Sequence, residues 1–395
     1  MFTNRQLFFQ HVALPSEQPL ALEIVKAEGI YMFDVDGNKY VDLVSGVSVS
    51  NIGHRNPQVI EAIKNQLDNY MHLMVYGEMI QSPQVKLAEK LSQQLPKSLQ
   101  SVYFVNSGSE AIEGALKLAK RYTGRSEIIA FKNAYHGGTH GALSILGSEE
   151  LKYAFRPLLP NIRHLNFNSF VDLEQITDKT ACVVIEPIQA EAGIILPKKG
   201  YLQTLRKKCD ECDTILIYDD IQMGFGRTGK LFSFELENVI PDILCIAKGM
   251  GGGMPIGAFI SSKKMMLTLT NNPALGYITT FGGHPVCSAA ALANLEFILR
   301  NQLSDNANSK GQLFMDLLKG LPNIKEIRGS GLMLAVEMET AEQNNKTVDL
   351  LLENRMIVDK FLFHDRAFRI APPLIITEGE IKEISEVLKD CILKV

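Results

Sequence analysis

Two short apolar runs in this chain end in charged side chains that packing alone does not require. Thr214-Ile215-Leu216-Ile217-Tyr218 reads as a buried strand delivering Asp219 and Asp220 at its end. Asp242 to Ala247 is a second such run, with Lys248 at its mouth and the glycine-rich stretch Gly249 to Pro255 behind it. Lysine is seldom buried without a partner. In low-dielectric surroundings its ammonium form is disfavoured, which leaves a nucleophilic amine able to bond a carbonyl carbon. A carboxylate on the neighbouring strand, Asp219, carries the charge that keeps a pyridine ring nitrogen protonated. The plainer interpretation is a lysine that snorkels to solvent and an acid pair that opens a turn.

The elements around these residues favour chemistry. Ser101 to Val105 is a short strand running into Asn106-Ser107-Gly108-Ser109-Glu110 and then a helix from Ala111 to about Tyr122. Ser107 and Glu110 have capping-box spacing, so the first amides of that helix point outward, where they suit a phosphate. A capped helix without a ligand is the commoner fate of that motif alone. Lysine, ring-facing acid and phosphate loop together describe a holder for pyridoxal phosphate. Glu127 to Phe131 is a further strand, followed by the loop Asn133 to His140, in which Tyr135 offers a flat face to an aromatic ring. His136 and His140 have no acidic or thiol neighbours in sequence, so local hydrogen bonding is expected of them rather than metal binding. Ala181 to Ile185 is another apolar strand; it ends in Glu186 and continues to Ala190 and Glu191. Alternating strands and helices from Ser101 to Ile260 predict an α/β fold with a mostly parallel sheet flanked by helices, each strand handing its loop to one end.

Gly224-Phe225-Gly226-Arg227-Thr228-Gly229-Lys230 has the spacing of a nucleotide-binding loop, but Leu231 stands where a hydroxyl must hold magnesium. The cysteine pair Cys209 and Cys212 has no second pair, so the six cysteines are expected to be free thiols. A chain of 395 residues suggests one large and one smaller domain, and its net charge of −4 gives no reason to expect nucleic acid or an anionic membrane as partner. No signal-peptide layout opens the chain and no apolar run approaches a membrane span, so a cytoplasmic location is expected. The segment to about Leu20 has no strong periodicity and is expected to drape over a partner or the smaller domain. Ile24 to Leu43 reads as a hairpin turning at Asp36-Gly37-Asn38. Helices are expected from about Gln58 to Asn69 and from Ser82 to Leu95, the latter with Val85, Leu87, Leu91 and Leu95 on its apolar face. Beyond about Asn301 the order becomes α+β: a helix from Lys310 to Lys319, strands, a helix from Thr347 to Asn354, and a last helix from Glu378 to Leu393. Expected boundaries are an N-terminal segment at 1–45 packing with the small domain, a large cofactor-binding domain at 46–300 and the small domain at 301–395. Arg369 lies in an apolar setting where a guanidinium needs a carboxylate.

Taken together these residues closely resemble the class III aminotransferases of the fold-type I pyridoxal phosphate enzymes, in the branch of ornithine, acetylornithine and 4-aminobutyrate aminotransferases. The resemblance runs from about Gly29 to near the C-terminus. It implies that Lys248 carries the cofactor, that Asp219 pairs with the ring nitrogen and that Gln222 bonds the phenolic oxygen. By the same resemblance Ser107, Gly108 and Ser109 hold the phosphate and Tyr135 covers the ring, with His136 and Glu186 also in the cofactor site. Thr280 reaches the phosphate of the other subunit of a homodimer with shared active sites. Glu191 matches a switch residue that pairs with Arg369 while a terminal-amine donor is bound and then frees it for the α-carboxylate of a keto acid. The chain departs from the pattern at Gly138, where the family places an arginine for a distal carboxylate, and at Val47, where ornithine enzymes have tyrosine. Loss of a bidentate carboxylate partner costs on the order of 2 kcal/mol or more. The donor (ornithine, acetylornithine or a related diamine or ω-amino acid) and the acceptor (2-oxoglutarate or pyruvate) therefore stay open. Asp220, Met223 and Ala190 are smaller departures. The alternatives are an aminomutase on the same fold and a non-catalytic cofactor-binding protein.

Overall fold

The computed structural model describes residues 2–395. A seven-stranded sheet forms its centre, in the spatial order Ser101–Val105, Gly257–Ser261, Ile243–Ile246, Ile215–Asp219, Thr180–Ile185, Glu127–Phe131 and Ile162–Leu165. The pairings from Ile243–Ile246 out to Ile162–Leu165 are parallel. The three central runs are buried along their whole length, which is why they are unbroken blocks of apolar residues rather than alternating ones. The expectation that each strand hands its loop to one end fails at Gly257–Ser261, which runs antiparallel to both its neighbours. It must do so, because only a short glycine-rich turn separates it from the adjacent Ile243–Ile246, and a parallel return needs a crossover of a dozen or more residues. The edge strand Ile162–Leu165 was not legible in the sequence, since Arg163 and His164 break its apolar character.

Helices cover both faces. Gly108–Thr123 lays Ala111, Ile112, Ala115, Leu116 and Leu118 against the sheet. Pro285–Arg300 packs on Pro57–Asn69 and Ser82–Ser92. In the last of these Leu87 and Leu91 face the core, and Leu95 follows them there, but Val85 is half exposed and does not share that face. The N-terminal region holds a helix, Asn4–His11, that its polar composition concealed; Thr3 and Gln6 close a capping box at its start and none of its residues is buried.

The expected hairpin at Asp36-Gly37-Asn38 is joined by a second turn at Gly29-Ile30, so three strands form: Ile24–Glu28, Tyr31–Asp34 and Lys39–Asp42. Met356–Ile357 completes that sheet by pairing in parallel with Lys39–Asp42. A third sheet contains Ile324–Ser330, Met333–Met338, Ala367–Ile370 and Asp359–Lys360. It is accompanied by helices Leu303–Leu318, Ala341–Glu353 and Glu378–Ile392, the first two beginning well before the positions expected from their periodicity. All six cysteines are free, and among the described residues no helix is long and apolar enough to cross a membrane.

The run Gly224 to Lys230 forms buried turns, followed only by the single-turn helix Phe234–Glu237, and carries a structural arginine instead of a nucleotide. Arg227 is fully buried; it donates to the carbonyls of Leu332 and Pro372 and to Oδ1 of Asn51. Burial without a directly bonded carboxylate pushes its guanidinium down to about 9. It thereby fastens the turn at Gly331 to the large sheet, and the helix Leu303–Leu318 crosses that turn at Gly311. A Cβ at Gly311 would fall inside the Gly331 carbonyl oxygen. In an exposed helix Gly→Ala stabilises by about 1 kcal/mol. Here Gly311→Ala is expected to destabilise by about 1–3 kcal/mol, because the backbone at Gly331 cannot yield without disturbing Arg227. Urea unfolding checks this; an unchanged or raised midpoint would show that the two segments approach less closely.

Candidate active site

The carboxyl ends of the parallel strands and the start of the helix Gly108–Thr123 enclose a cavity of about 490 Å³. Residues expected from the sequence meet there. Ser107, Gly108 and Ser109 form one wall, Tyr135 and His136 another, and Glu186, Asp219, Gln222 and Lys248 the floor. They arrive on five different strand ends, so the sheet sets their relative positions. At the helix start the capping box is only half formed. Ser107 Oγ accepts from the Glu110 amide, but the Glu110 carboxylate turns to the backbone and side-chain amides of Asn106. A Cβ on Gly108 would stand 2.8 Å from Ile221, so the helix start can come this close to the Asp219 strand end only with glycine there.

Charge governs the floor. Nδ1 of His136 donates to Oδ2 of Asp219 at 2.7 Å, and the Ile221 amide donates to Oδ1. The expectation of local bonding by His136 is therefore corrected: its partner is the strand-end acid, brought in by the fold. His140 does bond within its neighbourhood, to the carbonyl of Pro157. Burial alone would lower the His136 pKa, but the hydrogen bond and charge of Asp219, with the charge of Glu186, raise it. Glu186 is pushed up chiefly by burial, with Asp219 acting in the same direction; its oxygens accept from the Tyr135 and Ala190 amides. Lys248 borders the cavity and donates to Oε1 of Gln222 at 3.0 Å. Its ammonium pKa is lowered, first by burial and then by Arg369, against the opposing charges of Glu191 and Asp219. Asp220 faces away into the protein, where it accepts from the Ser233 amide, so of the acid pair only Asp219 reaches the cavity.

Glu191 and Arg369 come together as a buried pair, Arg369 Nη2 donating to Glu191 Oε1 at 2.6 Å. The other oxygen of Glu191 accepts from the Leu362 amide, and its carbonyl accepts from that of Phe363. Arg328 donates to the carbonyl of Gly193 in the same loop and pairs with Glu337. Burial opposes ionisation of Glu337, but Lys325 and Arg328 outweigh it and hold its carboxyl down at about 2.

The segment 359–363 was not recognised as part of the site, although an acid inside the apolar run Met356 to Phe363 was a usable signal. The turn Ser45–Ser48 gave no signal. Ser45, Val47 and Ser48 all have φ between 55° and 62°, with Ser45 Oγ donating to the Ala371 carbonyl beside Arg369. A left-handed turn costs about 1–2 kcal/mol per non-glycine residue, so it persists only where its surroundings hold it. Thr280 is exposed and lies outside its own chain's cavity. Gly138 lines the cavity, and a Cβ there would meet nothing within 4 Å.

Two buried nitrogens at the floor, Nε2 of His136 and the Nε2 donor of Gln222, have no hydrogen-bond partner. Leaving a buried donor unpaired costs about 1–3 kcal/mol, so such atoms mark where a polar ligand belongs. With free helix amides on one wall and Tyr135 on another, the cavity suits a phosphorylated aromatic ring held beside an amine.

Comparison with known proteins agrees. The model of the class III aminotransferase family matches residues 12–392. The acetylornithine aminotransferase of Methanopyrus kandleri is 38% identical over 386 residues, 97% of this chain and 96% of that protein. Among solved structures, the ornithine aminotransferase of Toxoplasma gondii superposes with a TM-score of 0.91 at 30% identity, over 100% of this chain and 95% of that one. The adenosylmethionine-8-amino-7-oxononanoate aminotransferase of Methanocaldococcus jannaschii does so with a TM-score of 0.92 at 31% identity, over 99% and 98%. Fold, cavity chemistry and likeness converge: this chain belongs to the class III aminotransferases, enzymes that work with pyridoxal phosphate.

Proposed function

We propose that this enzyme moves an amino group from an ω-amine donor, such as ornithine, acetylornithine or a related diamine or ω-amino acid, to an α-keto acid. The observation carrying this reading is the buried Glu191–Arg369 pair close enough to Lys248 for both charges to act on its amine. A guanidinium neutralised by a side chain that can leave serves two substrates in turn. While Glu191 engages it, the site takes a donor with an uncharged or cationic end; once Glu191 withdraws, Arg369 takes the carboxylate of the acceptor.

Bound pyridoxal phosphate supplies an electron sink for breaking the bond between hydrogen and the carbon that bears the transferred nitrogen. The chain's own residues do the rest. Lys248 would hold the cofactor through Nζ and, once free of it, would move the proton with the same amine, whose pKa burial lowers. Asp219, held at Oδ2 by His136, would face the ring nitrogen of the cofactor. Gln222 would offer Nε2 to the phenolic oxygen, Ser107, Gly108 and Ser109 would cradle the phosphate, and Tyr135 would shield one ring face. Glu186 supports the Tyr135 loop from beneath through the Tyr135 amide.

A homodimer with shared sites completes this reading. Met71, Leu73, Met74, Met79, Ile80, Ile278 and Phe281 are exposed, and the last two flank Thr280. That much exposed apolar surface suits a second copy, which would bring Thr280 to the neighbouring phosphate. We also place the enzyme in the cytoplasm and divide it into domains at 46–300 and 301–395, with 1–45 belonging to the smaller one.

Adding L-ornithine alone to the cofactor-loaded enzyme is expected to convert the cofactor to its amine form, seen as loss of the visible absorption of the lysine-bound form. Persistence of that absorption would exclude ornithine and direct the search to longer diamines, 4-aminobutyrate and β-amino acids. Lys248→Ala is expected to lower turnover by about a thousandfold or more without changing the melting temperature; an active variant would remove Lys248 from the mechanism. Gly138→Arg has room for its side chain and is expected to shift preference from pyruvate toward 2-oxoglutarate by about tenfold. An unchanged ratio of kcat/KM for the two acceptors would mean that another cation already meets the distal carboxylate.

A further inference from the structure

Arg369 has more around it than Glu191. Its guanidinium carbon lies 4.8 Å above the ring of Phe361, and its Nε is 3.5 Å from Oδ1 of Asp359. Asp359 and Arg369 are opposite one another on antiparallel strands, so backbone pairing fixes their separation. At that distance the contact is an ion pair rather than a well-formed hydrogen bond. Arg369 Nε and Nη1 and Asp359 Oδ1 are all buried without hydrogen-bond partners. The guanidinium thus has one face against an aromatic ring, Nε toward Asp359 and Nη2 bonded to Glu191, with Nη1 unpartnered.

We propose that Asp359 is a positioning residue for substrate recognition: it holds the Nε edge of Arg369 so that an incoming α-carboxylate meets only the edge that Glu191 vacates. The proposal rests on reading Arg369 as the acceptor's carboxylate site. A simple competition between Asp359 and substrate is the obvious objection. It largely cancels, because Glu191 and the substrate occupy the same edge and Asp359 repels both alike. What does not cancel is orientation, since a guanidinium free to turn presents its fork to an incoming carboxylate only part of the time.

Asp359 is also poised to report its own role. Its carboxyl is pushed up to about 6, chiefly by burial, against the opposing pull of Arg369. The charges facing it are those of Arg369, Glu191 and Lys248 in the site and Asp42 at the end of Lys39–Asp42 in the N-terminal sheet, the last bonded to His54. Protonation abolishes its hold on Nε, so affinity for a keto acid falls as pH drops through about 6, while the keto acid itself stays ionised.

Calorimetric titration of the cofactor-loaded enzyme with pyruvate, without an amino donor, tests this. Asp359→Asn is expected to weaken binding about tenfold near pH 7.5 and to flatten the loss of affinity between about pH 7.5 and about pH 5. Asp359→Glu is expected to restore part of both. Wild-type affinity and wild-type pH dependence in Asp359→Asn would overturn the proposal. So would a wild-type affinity that is level across pH 6, a measurement that needs no variant to fold. Arg369→Gln separates the two levels. If it binds pyruvate normally, the carboxylate-site reading falls and the role of Asp359 with it. If it binds weakly while Asp359→Asn does not, Asp359 alone is ruled out.

Discussion

Removing an ionised group from water costs several kcal/mol unless a partner replaces the lost hydration. The carboxyl end of the central sheet gathers five titratable groups, Lys248, Asp219, His136, Glu186 and Glu191, with Arg369 as a sixth beside Glu191. All but Lys248 have a counterpart within the set or in a backbone amide. His136 meets Asp219, Arg369 meets Glu191, and Glu186 takes two amides. That mutual dependence explains why the loops are held so tightly and why Gly108 must let a helix start come against a strand end. It also explains the reactivity of Lys248. Its bonded partner is a neutral amide, so its charge is not fully matched, and burial lowers the pKa of its ammonium.

The second charge system lies in the third sheet and works on orientation instead of reactivity. Glu337 binds Arg328, Arg328 holds the Gly193 carbonyl, and that loop carries Glu191. On the other side Asp359 and Phe361 bracket Arg369. Glu191 and Arg369 are thus supported from the smaller sheet, while Asp219, Gln222 and Lys248 are carried by the larger one. Any shift of one sheet against the other would be felt first at the Glu191–Arg369 contact, and the fully buried Arg227, bonded to Asn51, Leu332 and Pro372, resists such a shift.

What could be read from the sequence follows from burial on both faces. The central strands were plain because a doubly covered strand has no polar face, and a charged residue at its end then stands out, as Asp219 and Lys248 did. Helix boundaries came within a few residues where caps or prolines mark them, as at Pro57 and Thr377. Features decided by register between distant segments were not readable. The His136–Asp219 contact depends on loops from two strands reaching the same point, and the Asp359–Arg369 pair depends on which residues of two short strands stand opposite. Asn4–His11 escaped notice because it buries none of its residues, so no apolar periodicity was needed to form it. The left-handed turn at Ser45–Ser48 is imposed by its surroundings, since no residue type in it but Gly46 favours that conformation.

The sheet that joins the two ends of the chain has a consequence for how the protein is made. Val41 pairs with Met356, and Tyr31 bonds Glu380, so these strands leave the ribosome long before the segments that complete their setting. At about 5–20 residues per second, the interval is on the order of tens of seconds. Throughout it the edge later covered by Met356–Ile357 stands open, while the segments of the central sheet, Ser101 to Ser261, emerge and can assemble. The polar and charged residues along Lys39–Asp42 suit a strand that must wait unpaired without joining a strand of another nascent chain.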